Sequence, residues 1–253
     1  MIDPKAKAVE LSVSGRDFTL IQSPGALQSG RKEGTTGAAV WQSSVRAAEW
    51  LAAPDNVLFH SGLLHGGSTV LELGSGVSVL VPFFLAKRVK EVVATDQQHV
   101  LKLLEENIHD NALTKPPKKG KQNDTTGNIQ ALALDWEEDD IPKHLASNGL
   151  GDGVDFVFAC DTLYNYGLID PFVEACVDVC HLRQQKRHKG DEAGGPTACV
   201  IVQQLRQAEV FEQWLETSIR RFRVWRVPDN MLTAGLKEGS GFAVHILLLR
   251  EEV

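Results

Sequence analysis

The chain has 253 residues, 43% of them hydrophobic, and a formal net charge of −7. That length buries one substantial core, and the acidic balance argues against a broad phosphate-binding face. No apolar run reaches membrane-spanning length and the first residues carry no signal-peptide pattern, so the expectation is a soluble intracellular monomer without a membrane partner.

Residues 8–21 alternate apolar and polar around Val9, Leu11 and Val13, then around Phe18, Leu20 and Ile21, with Ser14-Gly15-Arg16-Asp17 between them as a turn signal. They predict a β-hairpin outside the main sheet. Residues 23–39 are rich in Gly, Ser and Thr and read as a surface segment. Residues 1–37 are expected to form an extension, and 38–253 a single domain. Trp41, Val45, Ala48 and Ala52 recur at three- and four-residue steps and predict an amphipathic helix that ends at Pro54-Asp55-Asn56.

The most informative stretch is Thr69-Val70-Leu71-Glu72-Leu73-Gly74-Ser75-Gly76-Val77, a short apolar strand followed by a glycine turn and a helix-compatible segment over 79–88. Glycine permits the sharp turn and a close backbone approach by a ligand, and the next helix presents its N-terminus to that ligand. A second strand, 91–95, ends in Asp96, where a carboxylate can accept both hydroxyls of a ribose. The dinucleotide fingerprint Gly-x-Gly-x-x-Gly/Ala fails, because Val79 stands three residues beyond Gly76. A nicotinamide-dependent oxidoreductase therefore loses ground.

Val100, Leu101, Leu104 and Ile108 mark the next helix. The polar, basic insertion 114–128 reads as a solvated loop, or as an arm touching RNA or an acidic partner. A strand over 129–134 runs into Asp135-Trp136, and the apolar strand 154–160, which includes Ala159, runs into Asp161-Thr162-Leu163-Tyr164-Asn165. A helix over 169–182, a charged glycine-rich loop over 183–196, a strand over 198–203 and an amphipathic helix around Trp214 follow. Two last strands, 222–227 and 242–249, are expected to pair as an antiparallel hairpin. Of the four cysteines, Cys160 and Cys199 read as reduced core thiols, and Cys176 and Cys180 lack the second pair that a metal site needs.

Alternating strands and helices imply one doubly wound, Rossmann-like α/β sheet. Such sheets bind ligands beyond the carboxyl ends of their strands, and four features fall there: Glu72/Gly74/Gly76, Asp96, Asp135-Trp136 and Asp161 to Tyr164. Each has a structural reading. Glu72 can hold the glycine turn, Asp96 can cap a helix, Trp136 can be a core aromatic, and Asp161 with Tyr164 can stabilise a loop. One cofactor explains all four together.

The order acid-x-Gly-x-Gly in Glu72-Leu73-Gly74-Ser75-Gly76 resembles motif I of the class I S-adenosylmethionine methyltransferases. Asp161-Thr162-Leu163-Tyr164 resembles the Asp-x-x-Tyr motif of the seven-β-strand protein lysine methyltransferases. Trp41 and Asp135-Trp136 resemble that family's tryptophan before the first helix and its acid-plus-tryptophan pair at the adenine. With Val40-Trp41-Gln42-Ser43-Ser44 and Ala94-Thr95-Asp96-Gln97, these runs look closest to the fungal ribosomal lysine methyltransferase 5 family. The resemblance implies a seven-stranded sheet with a C-terminal hairpin, and S-adenosylmethionine as cofactor with S-adenosylhomocysteine as product. It implies cofactor contacts at Trp41, Glu72, Gly74, Gly76, Asp96, Asp135, Trp136 and Ala159, and catalytic roles for Asp161 and Tyr164. It further implies a large-subunit ribosomal protein as substrate, and cytoplasmic residence with a nuclear pool left open. A lysine of a chaperone or elongation factor, and a non-catalytic scaffold, are the alternatives.

Overall fold

The computed structural model describes residues 1–29, 35–112, 125–188 and 195–251. Strands β1 (Ala8–Val13) and β2 (Arg16–Ile21) form the expected hairpin. Its turn is only Ser14-Gly15, with φ of 49° and 78°. Two left-handed residues give the backbone twist that matches the flanking strands, so Arg16 and Asp17 already belong to β2. After it come the short helix α1 (Pro24–Leu27), capped by the Ser23 hydroxyl, then α2 (Gln42–Ala52) and α3 (Val57–His60), capped by Asn56.

From there strands and helices alternate: β3 (Thr69–Leu73), α4 (Leu80–Ala86), β4 (Glu91–Asp96), α5 (Gln98–Ala112), β5 (Ile129–Ala133), α6 (Ile141–Ser147), β6 (Phe156–Cys160), α7 (Ile169–His188), β7 (Ala198–Gln204), α8 (Ala208–Arg221), β8 (Phe222–Arg226) and β9 (Phe242–Leu249). The seven-stranded sheet runs β5-β4-β3-β6-β7-β9-β8. Its first five strands are parallel, and β9 is antiparallel to both β7 and β8. The last two strands therefore pair as predicted, but the later one lies inside the sheet. Composition explains this. β9 is apolar at every position but His245, as a strand covered on both faces must be, whereas β8 carries Arg223, Trp225 and Arg226 in exposed positions and suits an edge.

Side chains alternate across the sheet and feed two cores. Val70, Phe156 and Phe158 pack with the hairpin, α2 and α4. Leu71, Leu73, Val157 and Ala159 pack with α6, α7 and α8 on the other face. Strand order reverses between β3 and β6, which opens a crevice at their carboxyl ends.

The hairpin is fastened to this body by side-chain amides. Asn107 and Asn111 of α5 are buried. Asn111 Oδ1 accepts from the Thr19 N–H at 3.0 Å, and its Nδ2 donates to the Thr19 carbonyl at 2.9 Å. Asn107 does the same for Ile21, at 2.7 and 2.9 Å. The two amides occupy the free edge of β2 as a further strand would.

Helix α7 runs six residues past the predicted end at 182, because Arg183 finds a partner in the Asp155 carboxylate. Residues 189–194 of the charged loop, and 113–124 of the basic insertion, lie outside the described residues. The insertion's last four residues form a 3-10 turn, and the Asn128 amide donates to the carbonyls of Ala86, Val89 and Lys90. All four cysteines are buried and free. Among the described residues no helix is long and apolar enough to cross a membrane.

His245 packs against both Phe211 and Trp214, at ring-centroid distances of 5.6 and 5.4 Å. Burial, helped by the Arg226 charge, lowers its pKa to about 4. Between that value and about 6.5 the unfolded imidazole binds a proton that the folded one refuses, so the stabilisation is complete above pH 6.5 and is lost as pH falls toward 4. Wild type should lose on the order of 3 kcal/mol across this window relative to His245→Phe. Denaturant unfolding of both proteins at several pH values checks it, and parallel pH curves would refute it.

Candidate active site

The crevice is a cleft of about 250 Å³, open to solvent at its mouth. Its floor is the glycine turn after β3. Gly74 and Gly76 have φ of 70° and 59°, in the left-handed region. A Cβ on Gly74 would stand 2.7 Å from the Thr162 methyl and 3.1 Å from the Trp136 ring, and one on Gly76 would stand 2.9 Å from the Gly37 carbonyl oxygen. Both positions thus need glycine for conformation and for space.

Asp96 ends β4 beside this turn. Its Oδ2 accepts from the Gly76 N–H and its Oδ1 from the Gln97 N–H, each at 2.8 Å. Burial raises its pKa, and these two donors pull against that shift in favour of the carboxylate. It does not cap α5, because neither bond reaches the helix's own first N–H groups. Its carboxylate instead ties the glycine turn to the neighbouring strand.

Glu72 serves the turn from behind. It is 3% exposed as a residue, its carboxyl accepts from Ser75 Oγ at 2.6 Å, and it does not line the cleft. Burial pushes its pKa up to about 8, against the opposing effect of the Ser75 hydroxyl and with a smaller push from the Asp96 charge. At neutral pH it is mainly a protonated acid.

The remaining walls come from three later elements and one earlier one. Asp135 accepts from Gln97 Nε2 at 2.8 Å and from the Glu137 N–H at 3.0 Å, which joins the ends of β4 and β5. Trp136 stands edge-on to Phe172, 5.9 Å between centroids. Its Nε1, like Thr162 Oγ1, is buried without a partner on the cleft wall. Asp161 follows β6 with φ of 57°, and its carboxyl reaches the Arg206 guanidinium at 2.7 Å. Tyr164 lines the same cleft and also a smaller one beside it. Trp41 closes the near side, with its Nε1 donating to the Thr36 carbonyl at 3.0 Å.

A family model described as lysine methyltransferase matches residues 26–188, more than half of the chain. The chain belongs to the lysine methyltransferase family. It is 29% identical to ribosomal lysine N-methyltransferase 5 of Zygosaccharomyces rouxii, over 82% of this chain and 72% of that protein. It is 27% identical to diaminohydroxyphosphoribosylamino-pyrimidine deaminase of Schizosaccharomyces pombe, over 85% of this chain but only 45% of that protein. Among solved structures it shares its fold with SMU.776, a methyltransferase in complex with SAH, at a TM-score of 0.52 and 12% identity, over 96% of this chain and 56% of that one.

The enzyme is an S-adenosylmethionine-dependent lysine methyltransferase, and the cofactor supplies an electrophilic methyl group. The residues present fit it. The glycine turn lines the cleft, Asp96 offers an acceptor beside it, and Trp136 Nε1 and Thr162 Oγ1 on its wall have no protein partner.

Of the expected site residues, Trp41, Gly74, Gly76, Asp96, Asp135, Trp136, Asp161 and Tyr164 all line this one cleft. Glu72 stands behind it. Ala159 does not join them: its side chain points into the opposite core, and its neighbour Cys160 faces the cleft. The reason is strand alternation, since Ala159 lies on the Leu73 face and Cys160 on the Glu72 face. Sequence reasoning also missed Thr36 and Gly37. The segment 23–39, expected at the surface, brings these two onto the cleft wall, and the Gly37 carbonyl accepts from the Val77 N–H at 2.9 Å.

Glu72→Gln should keep the Ser75 hydrogen bond and lose a pH dependence. Wild type holds a raised pKa, so its stabilisation is complete below about 4.5 and is lost as pH rises through about 8. Across that window the ligand-free variant should gain on the order of 4 kcal/mol on wild type. Urea unfolding at both ends of the window measures it, and a constant difference would show Glu72 ionised in the fold.

Proposed function

We propose that this enzyme methylates a lysine of a large-subunit ribosomal protein. In this reading Asp161 and Tyr164 stand at the substrate amine, and Trp41, Gly74, Gly76, Asp96, Asp135 and Trp136 surround the cofactor. The observation that carries the site assignment is Asp161. It is a buried carboxyl on the cleft wall, held by Arg206 and by the Gln204 backbone N–H, and a carboxylate oxygen can accept more than one donor. Such an oxygen suits an N–H of an incoming amine. The ribosomal target is supported by the Zygosaccharomyces rouxii relative, whose named activity extends over most of this chain.

A lysine ammonium has no lone pair to offer, and free lysine titrates near ~10.4. The site must therefore receive the neutral amine. Bound S-adenosylmethionine would supply an electrophilic methyl group to the nitrogen lone pair, and the surplus proton would leave to water. The protein's chief contribution is alignment. Asp161 orients the amine, and Tyr164 walls the approach. Monomeric state, cytoplasmic residence and contact of residues 114–128 with RNA belong to the same proposal.

Purified enzyme and methyl-labelled cofactor, applied to separated ribosomal subunits and to the remaining proteins of cells lacking the enzyme, test it directly. Label in one large-subunit protein, absent with Asp161→Ala, is the expected result. Label confined to a chaperone, an elongation factor or another protein would discard the ribosomal target, and no label despite cofactor binding would favour a scaffold. Asp161→Ala should leave calorimetric affinity for S-adenosylhomocysteine unchanged. Asp96→Ala should weaken that affinity by about 1.5–3 kcal/mol, the worth of an ionised acceptor, and wild-type affinity would take Asp96 out of the cofactor site.

A further inference from the structure

Arg206 belongs to no motif and lies 45 residues beyond Asp161 in the chain. It follows Leu205, whose N–H is pinned to the Gly241 carbonyl at 2.8 Å. Its guanidinium lies over the Trp41 indole, 4.6 Å from the ring centroid. Its Nη2 stands 2.7 Å from Asp161 Oδ2. The Asp161 side chain is 1% exposed and that of Arg206 35%. Arg206 and the Gln204 backbone N–H both favour the ionised carboxyl, and a carboxylate oxygen can accept more than one donor.

We propose that Arg206 is a positioning residue for methyl transfer. Stacked on Trp41, it fixes the Asp161 carboxylate through Oδ2, leaves acceptor capacity on that carboxylate for the substrate amine, and supplies a permanent positive charge beside which that amine binds neutral. The proposal rests on the lysine methyltransferase site described above and deepens it.

Three observations converge on this role. A guanidinium stays protonated and is the cation best suited to stacking on an indole, so Trp41 gives Arg206 a fixed seat. The backbone at Asp161, in the left-handed region, aims the carboxyl at that seat. Burial pushes the Asp161 pKa up, and Arg206 is the largest influence against it. The Gln204 backbone N–H and the amine of Met1 act more weakly in the same sense, and Glu72, which burial holds protonated, neighbours Cys160 together with Asp161. The Cys160 thiol is pushed well above its usual range by burial and by these acids. Without Arg206 the carboxyl would protonate more readily and lose its orientation. The bound lysine would also meet one positive charge fewer and keep its proton to higher pH. Both effects move activity toward alkaline pH.

The test compares Arg206→Met, which keeps a stem over Trp41 without charge, with Arg206→Lys, which keeps the charge. Initial rates of methyl labelling are followed against pH in the protein fraction that wild type labels. Arg206→Met should be slower near neutral pH by about a hundredfold, the cost of a misplaced reacting group. Its rate profile should move alkaline by about one pH unit, a tenfold change in the active ionised form. Arg206→Lys should recover most of the rate, and ethylguanidinium should restore part of the rate to Arg206→Ala. Calorimetric affinity for S-adenosylhomocysteine should stay at its wild-type value. A wild-type rate and profile in Arg206→Met would overturn the proposal. So would equal losses in the Met and Lys variants with an unmoved profile, which would mark a packing role. Absence of label with wild type itself would instead overturn the parent reading, and this one with it.

Discussion

The site depends on the hydrogen bond between the Asp96 carboxylate and the Gly76 N–H, 2.8 Å long. It closes the glycine turn onto the neighbouring strand. The adjacent N–H, that of Val77, reaches the Gly37 carbonyl, which brings a segment from before the first sheet strand onto the same wall. A side chain at Gly76 would collide with that carbonyl. Space, hydrogen bonding and left-handed backbone thus make one constraint, and Glu72 supports it from beneath through Ser75.

The electrostatics divide along the same line. Glu72, sealed under the turn with only a hydroxyl for company, is protonated at neutral pH. Asp161 is almost as well buried but faces a guanidinium across 2.7 Å. Burial raises the pKa of both acids, but Arg206 opposes the shift at Asp161 where Glu72 has only a hydroxyl. The difference comes from Arg206, a residue of the loop after β7.

Much of the fold was legible in the sequence. Apolar runs of strand length, glycine at the first βα turn and amphipathic helices between strands imply a doubly wound sheet, because few other arrangements cover both faces. The acids and tryptophans at successive strand ends were legible for the same reason: carboxyl ends of parallel strands converge on one crevice. Ala159 was misplaced because a strand end does not reveal which face each side chain takes until its neighbours fix the pleat. Thr36 and Gly37 were missed because a Gly- and Thr-rich segment has no periodicity to tell a cleft wall from a loose surface loop.

The sequence by itself determined the family, the sheet and the residues Gly74, Gly76, Asp96, Asp135, Trp136, Asp161 and Tyr164 that converge on one cleft. These are local statements, since each residue needs only its own strand and turn to reach the carboxyl edge. The tertiary structure decided the rest: that β9 and not β8 lies beside β7, that buried asparagines of α5 seal the hairpin edge, that Glu72 supports the turn while Asp161 faces the cleft, and that Arg206 bridges Trp41 and Asp161. Each of these joins residues far apart in the chain. Charge, desolvation and hydrogen bonding act over a few ångströms of space, and only the folded chain fixes which distant groups come that close.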